Sequence, residues 1–83
     1  MQLTLRFFAS IREAIGQGSE PCTTTARDVA ALRDALIGRG EPYAGALARG
    51  RSVRIAVDQQ MCDESTALHD GAEVAFFPPV TGG

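Results

Sequence analysis

Leu3, Leu5 and Phe7 stand two apart with Thr4 and Arg6 between them, the period of a half-buried strand. Phe8 falls on the opposite parity and should leave the core face. Ser10 can cap a short helix from Ile11 to Ile15, which Gly16 and Gly18 stop. Pro21 to Thr24 reads as a short strand, and Pro21, with no N–H to donate, suits an edge or a strand start. The longest helical signal begins at Thr25. As N-cap it would have Asp28 three residues on, in place of the usual Glu of a capping box, and Val29, Leu32, Ala35 and Leu36 then repeat at helical spacing. Arg27, Arg33 and Asp34 fall on the other, polar side, and Gly38 and Gly40 end the helix.

Glu41 to Gly50, with Pro42, Gly45 and Gly50, reads as a loop holding one turn of helix. Val53, Ile55 and Val57 alternate again, Asp58-Gln59-Gln60 can turn the chain, and Met61-Cys62 forms a short return. Asp70-Gly71 is a strong turn dipeptide, and Glu73 to Phe77 is a last strand that stops at Pro78-Pro79. Strands sharing one sheet with one dominant helix imply an α+β fold with the helix on one face. The first and last strands both look central and are separated by enough chain for a crossover, so they should pair in parallel. That is the β-grasp layout: a mixed sheet, one main helix and a flexible C-terminal tail. The body is residues 1–77 and the extended Gly-Gly tail 78–83.

Composition narrows the chemistry. At 83 residues and 8.8 kDa the chain makes one domain, too small to enclose a large cofactor and keep a core. A net charge of −2 and a pI near 5.2 speak against nucleic acid as a partner. No run approaches the ~18–20 apolar residues of a bilayer span, and the start lacks a signal peptide's apolar stretch, so neither membrane nor export is expected and the location should be cytoplasmic. Cys22 and Cys62 lie forty positions apart and, with His69, make at most a thin metal site, so no metal is expected. The sequence holds no GxSxG, glycine-rich phosphate loop or HExxH, and no Lys, all eight basic residues being Arg. His69, Asp63-Glu64, Asp70 and Glu73 read as surface and turn residues, so the chain should not be an enzyme on its own.

The C-terminus is where chemistry remains. Pro78 and Pro79 stiffen the chain, and Gly82 and Gly83 strip side-chain bulk from around the last carboxylate. Six residues beyond Phe77 reach roughly 20 Å, enough to enter a narrow tunnel in a partner. A carboxylate is a poor electrophile. ATP can activate it as an acyl-adenylate, and a sulfur nucleophile can then displace AMP to leave a thiocarboxylate. The competing reading is a frayed end.

The chain resembles the small, sulfur-carrying subunit of molybdopterin synthase, a ubiquitin-like β-grasp family, over its whole length. The resemblance is carried by Phe7-Phe8-Ala9 with Arg12-Glu13 and Gly16, by Val53 to Val57 with Asp58-Gln59, and above all by the run from Asp70-Gly71 through Phe76-Phe77-Pro78-Pro79-Val80-Thr81-Gly82-Gly83. Ala72 and Asp58 stand where the family often has Asp and Asn. The resemblance implies that a ubiquitin-activating-like adenylyltransferase activates Gly83 with ATP and that a sulfur donor system converts it to the thiocarboxylate. Pro79, Val80, Thr81 and Gly82 would then carry it into the large synthase subunit, in a heterotetramer of two small and two large subunits. There it gives sulfur to a cyclic pyranopterin precursor. No bound cofactor is implied. A sulfur carrier for thiamine or tRNA thiolation, or a ubiquitin-like protein modifier, is the alternative. Val74 and Phe76 in the core would leave Phe77 beside Phe8 on the open face, an exposed aromatic pair suited to an interface. Met61 and Arg12 complete the expected partner-binding set, and the resemblance places that role at the same four positions.

Overall fold

A computed structural model describes residues 1–79. Its elements are β1 (Gln2–Phe7), α1 (Ala9–Ile15), β2 (Ser19–Thr23), α2 (Val29–Ile37), α3 (Tyr43–Ala46), β3 (Arg54–Val57), β4 (Gln60–Cys62) and β5 (Glu73–Phe77). The five strands form one sheet in the order β2-β1-β5-β3-β4. β1 and β5 pair in parallel, as their shared central character predicts, and the other pairs are antiparallel. β2 is an edge strand, so the missing N–H of Pro21 leaves no ladder bond unmade.

The alternation in the sequence sets the core face. Leu3, Leu5 and Phe7 of β1, Val74 and Phe76 of β5, and Ile55 of β3 are buried together with Val29, Leu32 and Leu36 of α2. Phe7 stacks on Phe76 with ring centroids 5.9 Å apart, and Tyr43 of α3 meets Phe7 edge-on at 6.3 Å.

Both helix starts differ from the sequence expectation. Ser10 lies inside α1, whose N-cap is Phe8 with no side-chain capping bond. The sheet holds Phe8 in place: its N–H donates to the Phe76 carbonyl (3.1 Å), and its own carbonyl accepts from the amides of Ile11 and Arg12. The strand therefore passes straight into the helix, and Gly16, at φ 92°, closes it in the left-handed conformation. In α2 the cap is Asp28, not Thr25: its carboxylate accepts from the Ala31 amide at 2.8 Å. Thr24 takes the Ala26 amide at 3.0 Å, while Asp28 forms an isolated bridge with Ala67 and the Val29 amide donates to the Thr66 carbonyl. Backbone from 64–68 thus fixes where α2 begins, a long-range constraint that the local pattern cannot contain.

Arg33 is a larger correction. It sits on the side of α2 read as polar, yet it is 4% exposed. Its Nε donates to the Leu47 carbonyl (2.8 Å), Nη2 to the carbonyls of Ala48 (2.7 Å) and Arg51 (3.1 Å), and Nη1 to Glu64 (3.0 Å). Glu64 is accordingly a partner in an ion-pair network and not a simple solvated cap. Arg49 joins it as well, while also reaching Asp34 and the Ala30 carbonyl. Asp63 does behave as a turn residue, accepting from the Ser65 amide at 2.9 Å.

Candidate partner-docking site beside the C-terminal strand

The register of β1 against β5 builds the site. Phe7 opposes Phe76 in the core, so the next residues, Phe8 and Phe77, emerge together on the opposite face. Their rings meet edge-on with centroids 5.7 Å apart. Phe8 is 39% exposed and Phe77 half-buried. Arg54 pairs with Phe77 across the sheet, and the Arg6 guanidinium lies 5.6 Å from the Phe8 ring centroid. Arg6 also reaches Glu73 at 3.5 Å. Its Nε is buried without a partner among the described residues.

Met61 is 50% exposed and shares this face. It opposes Ala56, which opposes Ala75, which opposes Arg6. The two small side chains, both buried, separate Met61 from Arg6, whose guanidinium lies by the Phe8 ring. Arg12 is exposed on α1, and its guanidinium lies over Gly18, where a Cβ would stand 3.1 Å from Nε. The structure thus brings Phe8 and Phe77 into contact, sets Met61 further along the same face, and puts Arg12 beside Gly18. Arg6 and Arg54 were not singled out from the sequence. Their parity with Phe8 and Phe77 is the signal that finds them. Pro79 is exposed at the end of the described chain. Val80, Thr81, Gly82 and Gly83 lie outside the described residues.

Elsewhere the titratable groups are accounted for locally. Cys22 is buried against the Arg39–Glu20–Tyr43 cluster, and burial pushes its thiol pKa up. Cys62 is half-buried with its Sγ 3.7 Å from the Ile55 carbonyl. Among the described residues no three His, Cys, Asp or Glu side chains are grouped to hold a metal. No helix among them is long and apolar enough to cross a membrane.

His69 has a defined partner. Its Nε2 lies 2.6 Å from Asp58 Oδ2 and its Nδ1 2.9 Å from the Asp70 carbonyl. Both neighbours only accept hydrogen bonds, so the geometry suits the doubly protonated ring. The hydrogen bond with Asp58 holds the His69 pKa above 6.5 and, reciprocally, holds Asp58 below 3.8. Because the folded His69 value is raised, its stabilising contribution is present below the unfolded value and lost as pH rises through the folded one. The Asp58 contribution runs the other way and is lost as pH falls below the carboxylate range. Asp58→Asn should therefore lower the melting temperature most between the ordinary carboxylate and imidazole ranges, with the difference from wild type shrinking as pH rises beyond the raised His69 value or falls through the lowered Asp58 value. The side-chain amide oxygen introduced by Asp58→Asn can still accept from the Glu73 amide, as the Asp58 carboxylate does at 3.1 Å, so the variant isolates the His pair. A difference in melting temperature that stays constant from pH 4 to 8 would exclude this linkage.

The mixed five-stranded sheet with a parallel β1–β5 pair, a helix-covered face and a chain leaving β5 through two prolines defines a ubiquitin-like β-grasp protein. Residues 5–83 match the ThiS family, and the chain belongs to it. It is 37% identical to the molybdopterin synthase sulfur carrier subunit of Haemophilus influenzae, covering 98% of this chain and 99% of that one. It is 40% identical to the subunit of the same name from Escherichia coli, over 93% of this chain and 94% of the relative. Small archaeal modifier protein 3 of Haloferax volcanii is also 40% identical, with both chains covered in full. Among solved structures, the complex of subunits 1 and 2 of molybdopterin-converting factor from Helicobacter pylori contains a chain 27% identical, fully covered both ways, with a TM-score of 0.68. SAMP1 of Haloferax volcanii superposes with a TM-score of 0.77 over the whole of both chains at 24% identity, a likeness of fold alone.

Proposed function

We propose that this chain is a sulfur carrier of molybdenum cofactor biosynthesis and the non-catalytic small subunit of a molybdopterin synthase. The carrying observation is the Phe8–Phe77 pair on the open face, one strand end away from the exit of the Pro78-Pro79 stalk. The body, 1–77, docks, and the tail, 78–83, delivers. The Gly83 carboxylate attacks the α-phosphate of ATP on an adenylyltransferase partner and releases pyrophosphate. A sulfur donor then displaces AMP, leaving the thiocarboxylate. In the large subunit the thiocarboxylate sulfur replaces an oxygen substituent on a carbon of a pyranopterin precursor, and water then cleaves the acyl carbon–sulfur bond, leaving the sulfur on the pterin and regenerating the carboxylate for another charge. The chain binds no resident cofactor, the working complex is a heterotetramer of two small and two large subunits, and the setting is the cytoplasm. The 37% and 40% identities to named sulfur carrier subunits support this reading, as does the solved pairing of subunits 1 and 2 in the related Helicobacter complex.

The direct test is intact mass after incubation with a molybdopterin-type adenylyltransferase, ATP and a sulfur donor. The product should be heavier by the difference between one sulfur and one oxygen atom, and the charged protein plus large subunit should convert the precursor to molybdopterin. An unchanged mass, or charged protein that yields no molybdopterin, would overturn the proposal. The Haloferax modifier at 40% identity supports a second reading, attachment to other proteins through Gly83. That reading predicts isopeptide adducts of higher mass in extracts of the source cells.

Docking makes its own prediction. Phe77→Asp places a carboxylate in the centre of the aromatic pair, at a side chain that faces away from the core. Affinity for the large subunit should fall by at least about 30-fold, the loss typical of a hot-spot aromatic, measured by titration calorimetry. The melting temperature should change far less than for a core substitution. Unaltered affinity would remove this face from the interface.

A further inference from the structure

The open sheet face leaves one part of the surface near the tail unused. Two adjoining hollows form a trough here: one is lined by Pro78 and Pro79 with Ser10, Ile11, Ala46 and Arg51, and the other, lined by the same last four residues, reaches Glu41 and Gly45. Its two halves share Ser10, Ile11, Ala46 and Arg51 and have volumes of about 210 and 250 Å³. The hollows lie one after the other from the Pro78-Pro79 stalk, an order that a slim peptide continuing from Pro79 can follow.

The trough has one cation on its wall. Arg51 lines both halves and is exposed, and among the described residues it forms no ion pair. Its backbone is fixed: the Arg51 amide donates to the Ala48 carbonyl at 2.8 Å, and its carbonyl accepts from the buried Arg33 guanidinium at 3.1 Å. The far end is acidic. The Glu41 carboxylate lies over Gly45, where a Cβ would meet Oε2 at 2.7 Å. An anionic peptide end advancing from Pro79 therefore meets Arg51 first and is repelled before Gly45.

The chain supplies such a peptide. Four residues, Val80 to Gly83, follow Pro79, which itself lines the trough. Their reach of roughly 13–14 Å is on the scale of the distance across α1 and α3. Val80 and Thr81 carry methyls that can lie on Ile11 and Ala46, and Gly82 and Gly83 present backbone only. We propose that the trough is the resting seat of this chain's own C-terminal tail, with the Gly83 carboxylate paired to the Arg51 guanidinium. The carboxylate and the thiocarboxylate are both anions at neutral pH, so the seat takes either form. It shields the terminal group on the protein's own body until a partner draws the tail into its tunnel. The inference rests on the reading of Gly83 as the working terminus.

The test is a carbon-13 NMR titration of the Gly83 carboxyl in the full-length, uncharged protein, wild type against Arg51→Gln. Pairing with Arg51 should place the wild-type midpoint lower by about 0.3–0.7 pH unit, the two- to fivefold preference of an exposed ion pair. Methyl cross-peaks from Val80 to Ile11 and Ala46 should be present in wild type and weaken in the variant. The side chain of Arg51 is exposed, so Arg51→Gln is expected to keep the fold, and an unchanged amide spectrum elsewhere verifies that. Equal midpoints, or cross-peaks that survive Arg51→Gln undiminished, would overturn the proposal. Neither sulfur nor a partner enters this measurement. Its failure leaves the sulfur-carrier reading standing, and a failure to form the thiocarboxylate leaves the seat standing.

Discussion

Deleting Gly83 should reduce thiocarboxylate formation by at least about 100-fold while leaving the unfolding transition where it is. The proposed chemistry uses one atom group, the last carboxyl, delivered by a chain of fixed length. Removing one residue draws that group back by about 3.3–3.6 Å and leaves it on Gly82. A reacting group displaced by even 1 Å from its attack position can lose about 100-fold in rate, and this displacement is several times larger. The fold should not notice. The core closes at Phe76, and the last sheet residue is Phe77, six positions before the deletion. Gly83→Ala keeps the length and adds a Cβ, so it separates reach from width: a tunnel that tolerates only glycine rejects it, whereas a purely length-limited reaction accepts it. The readouts are intact mass after charging and the melting temperature. A deletion variant that charges normally would show that the reaction does not require Gly83 or its reach.

The fold was legible wherever burial alternates locally. Leu3, Leu5 and Phe7 announced β1, and the parity break at Phe8 announced the aromatic pair with Phe77 that the structure contains. The parallel pairing of β1 with β5 followed from both strands looking central, and Gly16 marked the end of α1 through its left-handed geometry. What was not legible depends on residues far apart in the chain. Thr25 and Asp28 are both competent caps by type. The choice is made by backbone from 64–68, which pairs with 27–30. Tyr43 opens α3, the one turn of helix expected within 41–50, but only the fold shows its ring against Phe7 and its hydroxyl donating to Glu20 at 2.7 Å. Asp58 and His69 are eleven positions apart and meet because the β3–β4 turn folds back onto the start of β5. In the docking site the apolar members were found by parity. The Arg6 and Arg54 rim was missed because a charged residue on an open face looks like ordinary solvation until its aromatic neighbours are placed beside it.

Arg33→Ala should be the most destabilising single substitution outside the hydrophobic core. Arg33 looked like one of the solvated charges of α2, and the structure makes it the post around which the 47–51 turn is wound. Truncation removes donors to the carbonyls of Leu47, Ala48 and Arg51 and to the Glu64 carboxylate. Leu47 is fully buried, so water cannot readily replace its lost partner, and the stem of the side chain leaves a void. A hydrogen bond from a charged donor contributes about 1.5–3 kcal/mol, so losing those to three carbonyls removes at least about 3 kcal/mol, against a total stability of about 5–15 kcal/mol for a domain. At roughly 4–8 °C per kcal/mol for a domain of this size, the melting temperature should fall by at least about 12 °C. Arg33→Lys keeps the charge but replaces a planar fork by a single ammonium, which cannot serve three carbonyls and a carboxylate at these angles, so it should recover little of the loss. Arg49→Ala is the control. It removes contacts to Asp34, Glu64 and the Ala30 carbonyl from an exposed side chain and should cost under about 1 kcal/mol. The ordering Arg33→Ala ≫ Arg49→Ala separates the two accounts: if both guanidinium groups were surface charges their effects would match. A thermal melt in which Arg33→Ala stays within a few degrees of wild type would refute the structural role. If the order holds, the same turn carries Arg51 as a rigid mount, and its backbone stands at a position set by a residue eighteen places earlier in the chain.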